Sequence, residues 1–449
     1  MTMVNNLGLQ DASANWIPLD WKVSRLKNLC SIITKGTTPT TLGFSYQPTG
    51  VNFIKVESID GYGNIQVKKL AHISVEAHNS LERSKLADGD IIYSIAGAIG
   101  RSAIIKEEHL PANTNQALAI IRPIKTIDNS YLRFSLSSEA QRNHIALISV
   151  SSAQANISLK DVSSFLVPVP PIGEQRKIAA ILSAVDDKLD VISRLFFATK
   201  KLKHGLMQNL FSQGIGAQDT KGRWLQHSDF KRSELGMIPV IWRADKINSH
   251  ALKVGSGSTP KGGSNVYLTS GIPLVRSQNV LVGCLSLDDI VFISDEQHKK
   301  MRNSKLSPND VLLNITGASI GRCAILPADF REGNVNQHVC IIRTAPSLNP
   351  KYLSHYLNSN AGQKQVDKFQ AGGNREGLNF QQIRSFDLPL PPVSEQEKIA
   401  QILDGVDSKL DALTIKLSHY QTLKRGLMQK LLTGEWRVKI DEPTPTTEQ

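Results

Sequence analysis

The sequence predicts an α+β protein built twice over: two globular domains of mixed strand and helix, joined by two long antiparallel coiled-coil helices. Three observations carry that reading. The first is an internal repeat at an offset of 221 residues. VPVPPIGEQRKIAAILSAVDDKLD from Val167 answers LPLPPVSEQEKIAQILDGVDSKLD from Leu388, and LKHGLMQNL from Leu202 answers LKRGLMQKL from Leu423. The second is a heptad seam in each copy. Apolar residues fall at Ile178, Leu182, Val185, Leu189, Ile192 and Phe196, and again at Ile399, Leu403, Val406, Leu410, Leu413, Leu417 and Tyr420. Such a seam marks a helix packed along its length on another helix, and the obvious partner is the other copy. The third is a strand, Gly-rich turn, strand pattern from Leu86 that returns from Leu306.

Taken in order, residues 1–166 read as the first domain. Short β-rich runs separated by turns, and a helical stretch near Tyr131–His144, suggest mixed α and β structure. Ile17-Pro18 with Trp21 opens this copy, as Ile238-Pro239 with Trp242 opens the next. Residues 167–213 form the central spacer helix. Pro168, Pro170 and Pro171 stop any preceding strand, and Glu174 sits early in the first turn, a helix-start signal. A proline-free helix of about 38 residues spans roughly 55 Å. Residues 214–237 are polar and begin Gly-rich, as expected of a connector. Residues 238–387 repeat the first domain and residues 388–432 repeat the helix, with Glu395 in the place of Glu174. The tail, 433–449, ends Pro/Thr-rich and reads as disordered. The helices stay alike between copies, whereas residues 37–85 and 258–305 share little beyond pattern.

Composition narrows the function. The chain has 449 residues, 40% hydrophobic and 20% charged, which suits a globular protein of two or three domains. No stretch of eighteen apolar residues predicts a membrane span. The start lacks a signal-peptide pattern, and the cysteines (Cys30, Cys284, Cys323, Cys340) make no C-x-x-C pair. A reducing cytoplasm is the expected setting. The net charge of +12 is spread as +3 over 1–166, +4 over 167–237, +6 over 238–387 and −1 over 388–449. That balance suits a polyanion such as DNA or RNA, and suits equally an unspecialised basic protein.

Catalytic constellations are missing. No Gly-x-x-x-x-Gly-Lys phosphate loop, no Asn/Asp-Pro-Pro-aromatic box and no Gly-x-Ser-x-Gly elbow occurs. The histidines are scattered and no metal site is expected. Asp186–Lys188 and Asp407–Lys409 resemble half a nuclease site, but their heptad helices and lack of a further acid make them solvated helix faces.

The candidate DNA contacts are turns and strand ends. Lys35-Gly36-Thr37-Thr38-Pro39 recurs as Ser256-Gly257-Ser258-Thr259-Pro260-Lys261. Hydroxyls, backbone amides and a lysine suit phosphate, and they also make an ordinary turn. Lys55 answers Arg276, each followed by polar residues that end at Ser58 and Asn279. Arg and Lys pair with guanine, Asn and Gln with adenine, yet a solvent-facing strand end looks the same. Arg101 and Arg322, each after a glycine, are phosphate ligands or plain surface arginines. Asn115-Gln116 and Asn336-Gln337 each precede an apolar strand. Asn374 and Arg375 lie in a flexible basic loop that replaces Ser151–Ala155. The candidate partner-binding surface and helix seam comprise Glu174, Gln175, Ile178, Leu182 and Leu189 with Glu395, Gln396, Ile399, Leu403 and Leu410.

Pro-Pro-x-x-Glu-Gln-x-x-Ile-Ala-x-Ile-Leu leading into a long helix that ends Leu-Lys-x-Gly-Leu-Met-Gln-x-Leu, twice over, resembles the specificity subunit of type I restriction–modification systems. The resemblance covers about Trp16 to Arg437. It implies that each globular part is a target recognition domain reading one half of a split DNA sequence. It implies that the two antiparallel helices space the half-sites. It implies a chain without catalysis or cofactor of its own. Double-stranded DNA, two modification subunits carrying S-adenosylmethionine and restriction/motor subunits using ATP and Mg²⁺ would be the partners. Asn309 in place of Gly89, and Glu376–Asn379 in place of Ala155–Ser158, put in doubt a residue-by-residue transfer of DNA contacts between the domains. The alternative is a duplicated non-catalytic scaffold for protein or RNA, distinguished by salt-dependent binding to duplex DNA.

Overall fold

The computed structural model describes residues 17–150, 156–260, 262–370 and 377–440. The chain divides into two compact units: residues 1–194 with 414–449, and residues 195–413. These cut across the linear boundaries, because each unit takes the start of one long helix and the end of the other.

The first unit holds a four-stranded antiparallel sheet in the order Cys30–Lys35, Leu118–Pro123, Ile91–Ser94, Ser102–Ile104. A three-stranded sheet is built from Ala71–Ile73, Val51–Ile54 and Ala112–Thr114, the last two parallel. The run Ile91–Ser94 is buried at every position because its two faces serve two cores. Side chains alternate along a strand. Ile91 and Tyr93 join Trp21, Tyr131, Leu132 and the helix residues Ile178 and Leu182. Ile92 faces the other way, with Ile54, Ile59 and Ile120. The second unit repeats the plan. Val311 and Leu313 pack with Trp242, Tyr352 and Ile399, and Leu312 packs with Val275, Val335 and Ile341.

Strand Lys22–Arg25 pairs with Leu166–Val169, and Arg243–Lys246 pairs with Asp387–Leu390 in the register shifted by 221. Each pairing leads the chain through two prolines into a long helix, Ile172–Leu210 or Val393–Leu432. In the first unit the early residues Ile178, Ala179 and Leu182 share a core with the late residues Met428, Leu431 and Leu432. In the second, Ile399, Ala400 and Leu403 meet Met207, Leu210 and Phe211. The helices are therefore antiparallel. Ile178, Leu182, Val185, Leu189, Ile399, Leu403 and Leu413 are buried, whereas Ile192, Phe196, Val406, Leu410, Leu417 and Tyr420 are half-buried.

Two expectations need correction, and the connector 214–237 has more structure than a link requires. It forms two short hairpins, Ala217–Gln218 with Trp224–Leu225 and Phe230–Ser233 with Gly236–Pro239. Asp219 holds the first turn by accepting from the backbone N–H groups of Lys221 and Arg223 (2.9 and 2.8 Å). The start of the tail is also ordered, because Arg437 is clamped by Asp20 and Glu174. Residues 441–449 lie outside the described residues. Lastly, Asp186 is no solvated helix-face acid. It is 6% exposed, with Lys424 Nζ at 2.5 Å and Arg133 at 3.2 Å. Its counterpart Asp407 takes Lys203 at 2.5 Å. Both pairs tie one long helix to the other inside one unit. Among the described residues no helix is long and apolar enough to cross a membrane.

Candidate nucleic-acid interface

The register of the sheets gathers most of the candidate DNA contacts at one end of each unit. In the first unit Lys35 pairs with Ala119, Ser94 with Leu118, Tyr93 with Ser102 and Ile54 with Thr114. The loops carrying Lys35, Thr37, Thr38, Lys55, Arg101, Asn115 and Gln116 therefore share a rim. Gly36 lets the chain lie flush there. Its N–H donates to the Leu118 carbonyl at 3.2 Å, and a Cβ would stand 2.0 Å from the Thr114 oxygen. The approach brings the Thr38 hydroxyl to the Gln116 amide oxygen, to which it donates. Arg83 donates to Thr37 Oγ1 at 3.1 Å, and Lys55 Nζ lies 4.1 Å above the Tyr46 ring. Asn115 is occupied locally, its side-chain oxygen accepting from the Ala117 N–H at 3.2 Å. Arg101 is exposed, with its guanidinium 3.4 Å from the Ile59 carbonyl.

The second rim uses the same scaffold with other side chains. Gly257 makes the same close approach, a Cβ there standing 1.6 Å from the Val335 oxygen. The Thr259 hydroxyl donates to the Gln337 amide oxygen. The Gln337 amide nitrogen lies 3.0 Å from His338 Nε2, and His338 Nδ1 lies 2.6 Å from the Thr316 hydroxyl. Arg276 stands over Tyr267 at 5.8 Å and donates to the Asp289 carbonyl at 2.7 Å. Ser258 and Arg322 are exposed. Lys261, Asn374 and Arg375 lie outside the described residues.

Other candidates are turned inward. Asn279 is fully buried; its amide donates to the Ser286 carbonyl (3.1 Å) and Asp289 (2.9 Å), and its oxygen accepts from the Arg276 N–H. It braces the loop under Arg276 and cannot reach a base. Asn336 is nearly buried and accepts from the His338 N–H at 3.1 Å.

The four polar residues at the helix starts are likewise interior, so they do not present a surface to another subunit. Glu174 accepts from the Trp21 indole at 3.2 Å and from Arg437 at 3.1 Å. Glu395 accepts from the Trp242 indole (2.8 Å), the Ile215 and Gly216 N–H groups (2.9 and 3.2 Å) and lies 3.0 Å from His227 Nε2. Gln175 accepts from the Asp128 N–H and donates to the Pro170 carbonyl, both at 2.8 Å. Gln396 repeats this with Asn349 (2.8 Å) and Pro391 (2.9 Å). The motif docks each domain onto its helix.

Sequence reasoning missed Arg83, Tyr46, Tyr267, Thr316 and His338 at the rims. Tyr46 and Tyr267 carried a signal, since they match at the repeat offset. The others lie where the copies diverge.

The architecture is that of a duplicated recognition protein, in which two matched scaffolds carry different polar rims. The chain belongs to the family of the type I restriction modification DNA specificity domain, which it matches over residues 18–195 and again over 221–419. It is a specificity subunit, the DNA-recognition component of such systems and not a catalytic one. A putative type I restriction enzyme specificity subunit, MjaX of Methanocaldococcus jannaschii, is 26% identical over 94% of this chain and 95% of its own length. The EcoKI specificity subunit of Escherichia coli K12 is 22% identical over 95% and 92%. In fold, the chain is similar to the type I restriction–modification S subunit of M. genitalium, with a TM-score of 0.58 at 16% identity over 96% and 98% of the two chains.

Proposed function

We propose that the chain reads a two-part DNA target, one half with each rim. The observation that supports this most directly is a common scaffold carrying unlike rims: Arg83, Lys55 and Thr37 at one, His338, Thr316 and Arg276 at the other. Matched strand registers hold both surfaces in the same form, and the differing side chains suit two different half-sites. Exposed arginines and the excess positive charge favour a phosphate backbone. The long helices set the gap between half-sites and, with the domains, recruit two modification subunits. Those subunits supply S-adenosylmethionine, and the restriction/motor subunits supply ATP and Mg²⁺ chemistry.

The test is methylation mapping on a random DNA pool with the chain assembled on its modification subunits. Two short sequences separated by a fixed gap are expected. A single continuous site, or no site at all, refutes the reading. Exchanging residues 14–166 for those of another specificity subunit should alter one half only. Deleting about one helical turn within residues 185–200 should change the gap and leave both halves intact.

A further inference from the structure

The two rims share one device that the divergence of the copies has left in place. Thr38 donates its hydroxyl to the Gln116 amide oxygen, and Thr259 does the same to Gln337. Each pair depends on a glycine, Gly36 or Gly257, at which any Cβ would strike the backbone of the neighbouring strand. Both glutamines are exposed. An amide has one acceptor end and one donor end. With its oxygen engaged by threonine, the glutamine offers N–H groups outward, at Gln337 the one not given to His338.

We propose that Gln116 and Gln337 are specificity-determining side chains that read DNA as hydrogen-bond donors, with Thr38 and Thr259 as the residues that position them. A free glutamine pairs with adenine by using both ends of its amide. A glutamine whose oxygen is occupied instead suits an edge that offers only acceptors, such as N7 and O6 of guanine in the major groove. The second rim carries the device further. The Gln337 nitrogen donates to His338 Nε2, so His338 Nδ1–H donates to Thr316 and the Thr316 hydroxyl proton is left to point elsewhere. Ala117 and Ala96 occupy the corresponding places in the first unit, so the chain of contacts ends there at Gln116. One scaffold position thus presents an amide alone in one half-site and an amide extended by a hydroxyl in the other.

This inference rests on the two-part reading proposed above. The experiment uses the full chain assembled with its modification subunits, with methylation of a random DNA pool as the readout. Gln116→Ala should relax discrimination tenfold or more at one base pair of one half-site, and Gln337→Ala at one base pair of the other. Thr38→Val keeps the side-chain volume but frees the amide to rotate. It should admit adenine at the same base pair that Gln116→Ala relaxes, an effect that a merely structural role for Thr38 would not produce. Should Gln116→Ala lower the yield of complex, Thr38→Val decides the matter. An unchanged motif in all three variants overturns the proposal, and so does an equal loss at every sequence with a shallower salt dependence, the mark of a phosphate contact. A wild-type complex that lacks a two-part motif would instead refute the underlying function.

Discussion

The two helix starts solve the same problem with different chemistry. Each buries a glutamate under the indole of an equivalent tryptophan, Glu174 beneath Trp21 and Glu395 beneath Trp242. At Glu174 the remaining partner is a cation. Arg437 bridges it to Asp20, and its guanidinium is held in the charged form chiefly by the hydrogen bond to Glu174. Among the described residues no arginine is paired with Glu395. Two backbone N–H groups and His227 close around a carboxylate only 1% exposed. A carboxylate is satisfied either by a countercharge or by several fixed donors. The first solution keeps one face open to solvent and salt. The second is sealed inside its unit.

The helix-to-helix ion pairs differ in the same way, and they give the largest expected effect. Asp186 is buried and shared by the partly buried Lys424 and Arg133 of the first unit, and burial outweighs the pull of Asp186 to push the Lys424 ammonium below its ordinary pKa. Asp186→Ala removes a buried carboxylate shared by two partly buried cations and should destabilise the first unit by about 4 kcal/mol. Asp407→Ala exposes a half-buried Lys203 to water and should cost about 1 kcal/mol. Hydrogen exchange resolved by unit measures both, since one global transition does not describe two units. Equal losses would erase the contrast.

A smaller contrast is expected at the helix starts. Glu395→Ala leaves several buried donors without an acceptor and should cost about 3 kcal/mol. Glu174→Ala leaves Arg437 bound to Asp20 and should cost about 2 kcal/mol. High salt should weaken the first contact more than the second, because surface charges are screened and buried ones are not.

The smallest effect lies in acid. His355, followed by Lys351, holds Asp404 down to about 2 in the second unit. A carboxylate with a lowered folded pKa contributes stability above its ordinary value, near 3.8, and loses it as pH falls toward 2. Solvent screening at a group about a third exposed limits this to about 1 kcal/mol. Unfolding of the second unit between pH 4 and 2 should therefore be steeper in the wild type than in Asp404→Asn. Parallel acid limbs would remove His355 and Asp404 as a difference between the units.

Much of this fold was legible in the sequence because its signals are local. Prolines at 170 and 171 end the strand, and the steps from Ile178 to Leu189 mark a helix face by themselves. Pro168, expected to stop the strand, instead lies within it opposite Val23, on an edge that tolerates a missing N–H. The rim was partly legible. Thr38 and Gln116 were found because they repeat, whereas Arg83 and His338 were not, because they differ between copies. Asn279 was misread since a strand-end amide looks the same in sequence whether it faces DNA or braces a loop.

By itself, then, the sequence determined the duplication, the alternation of core residues along the strands and the seams along the helices, all of which follow from short-range periodicity. The tertiary structure decided which polar groups meet water. Glu174 and Arg437 are 263 residues apart, and Thr38 and Gln116 are 78. The burial of a charge, or the free end of an amide, depends on neighbours that only the folded chain brings within hydrogen-bonding reach.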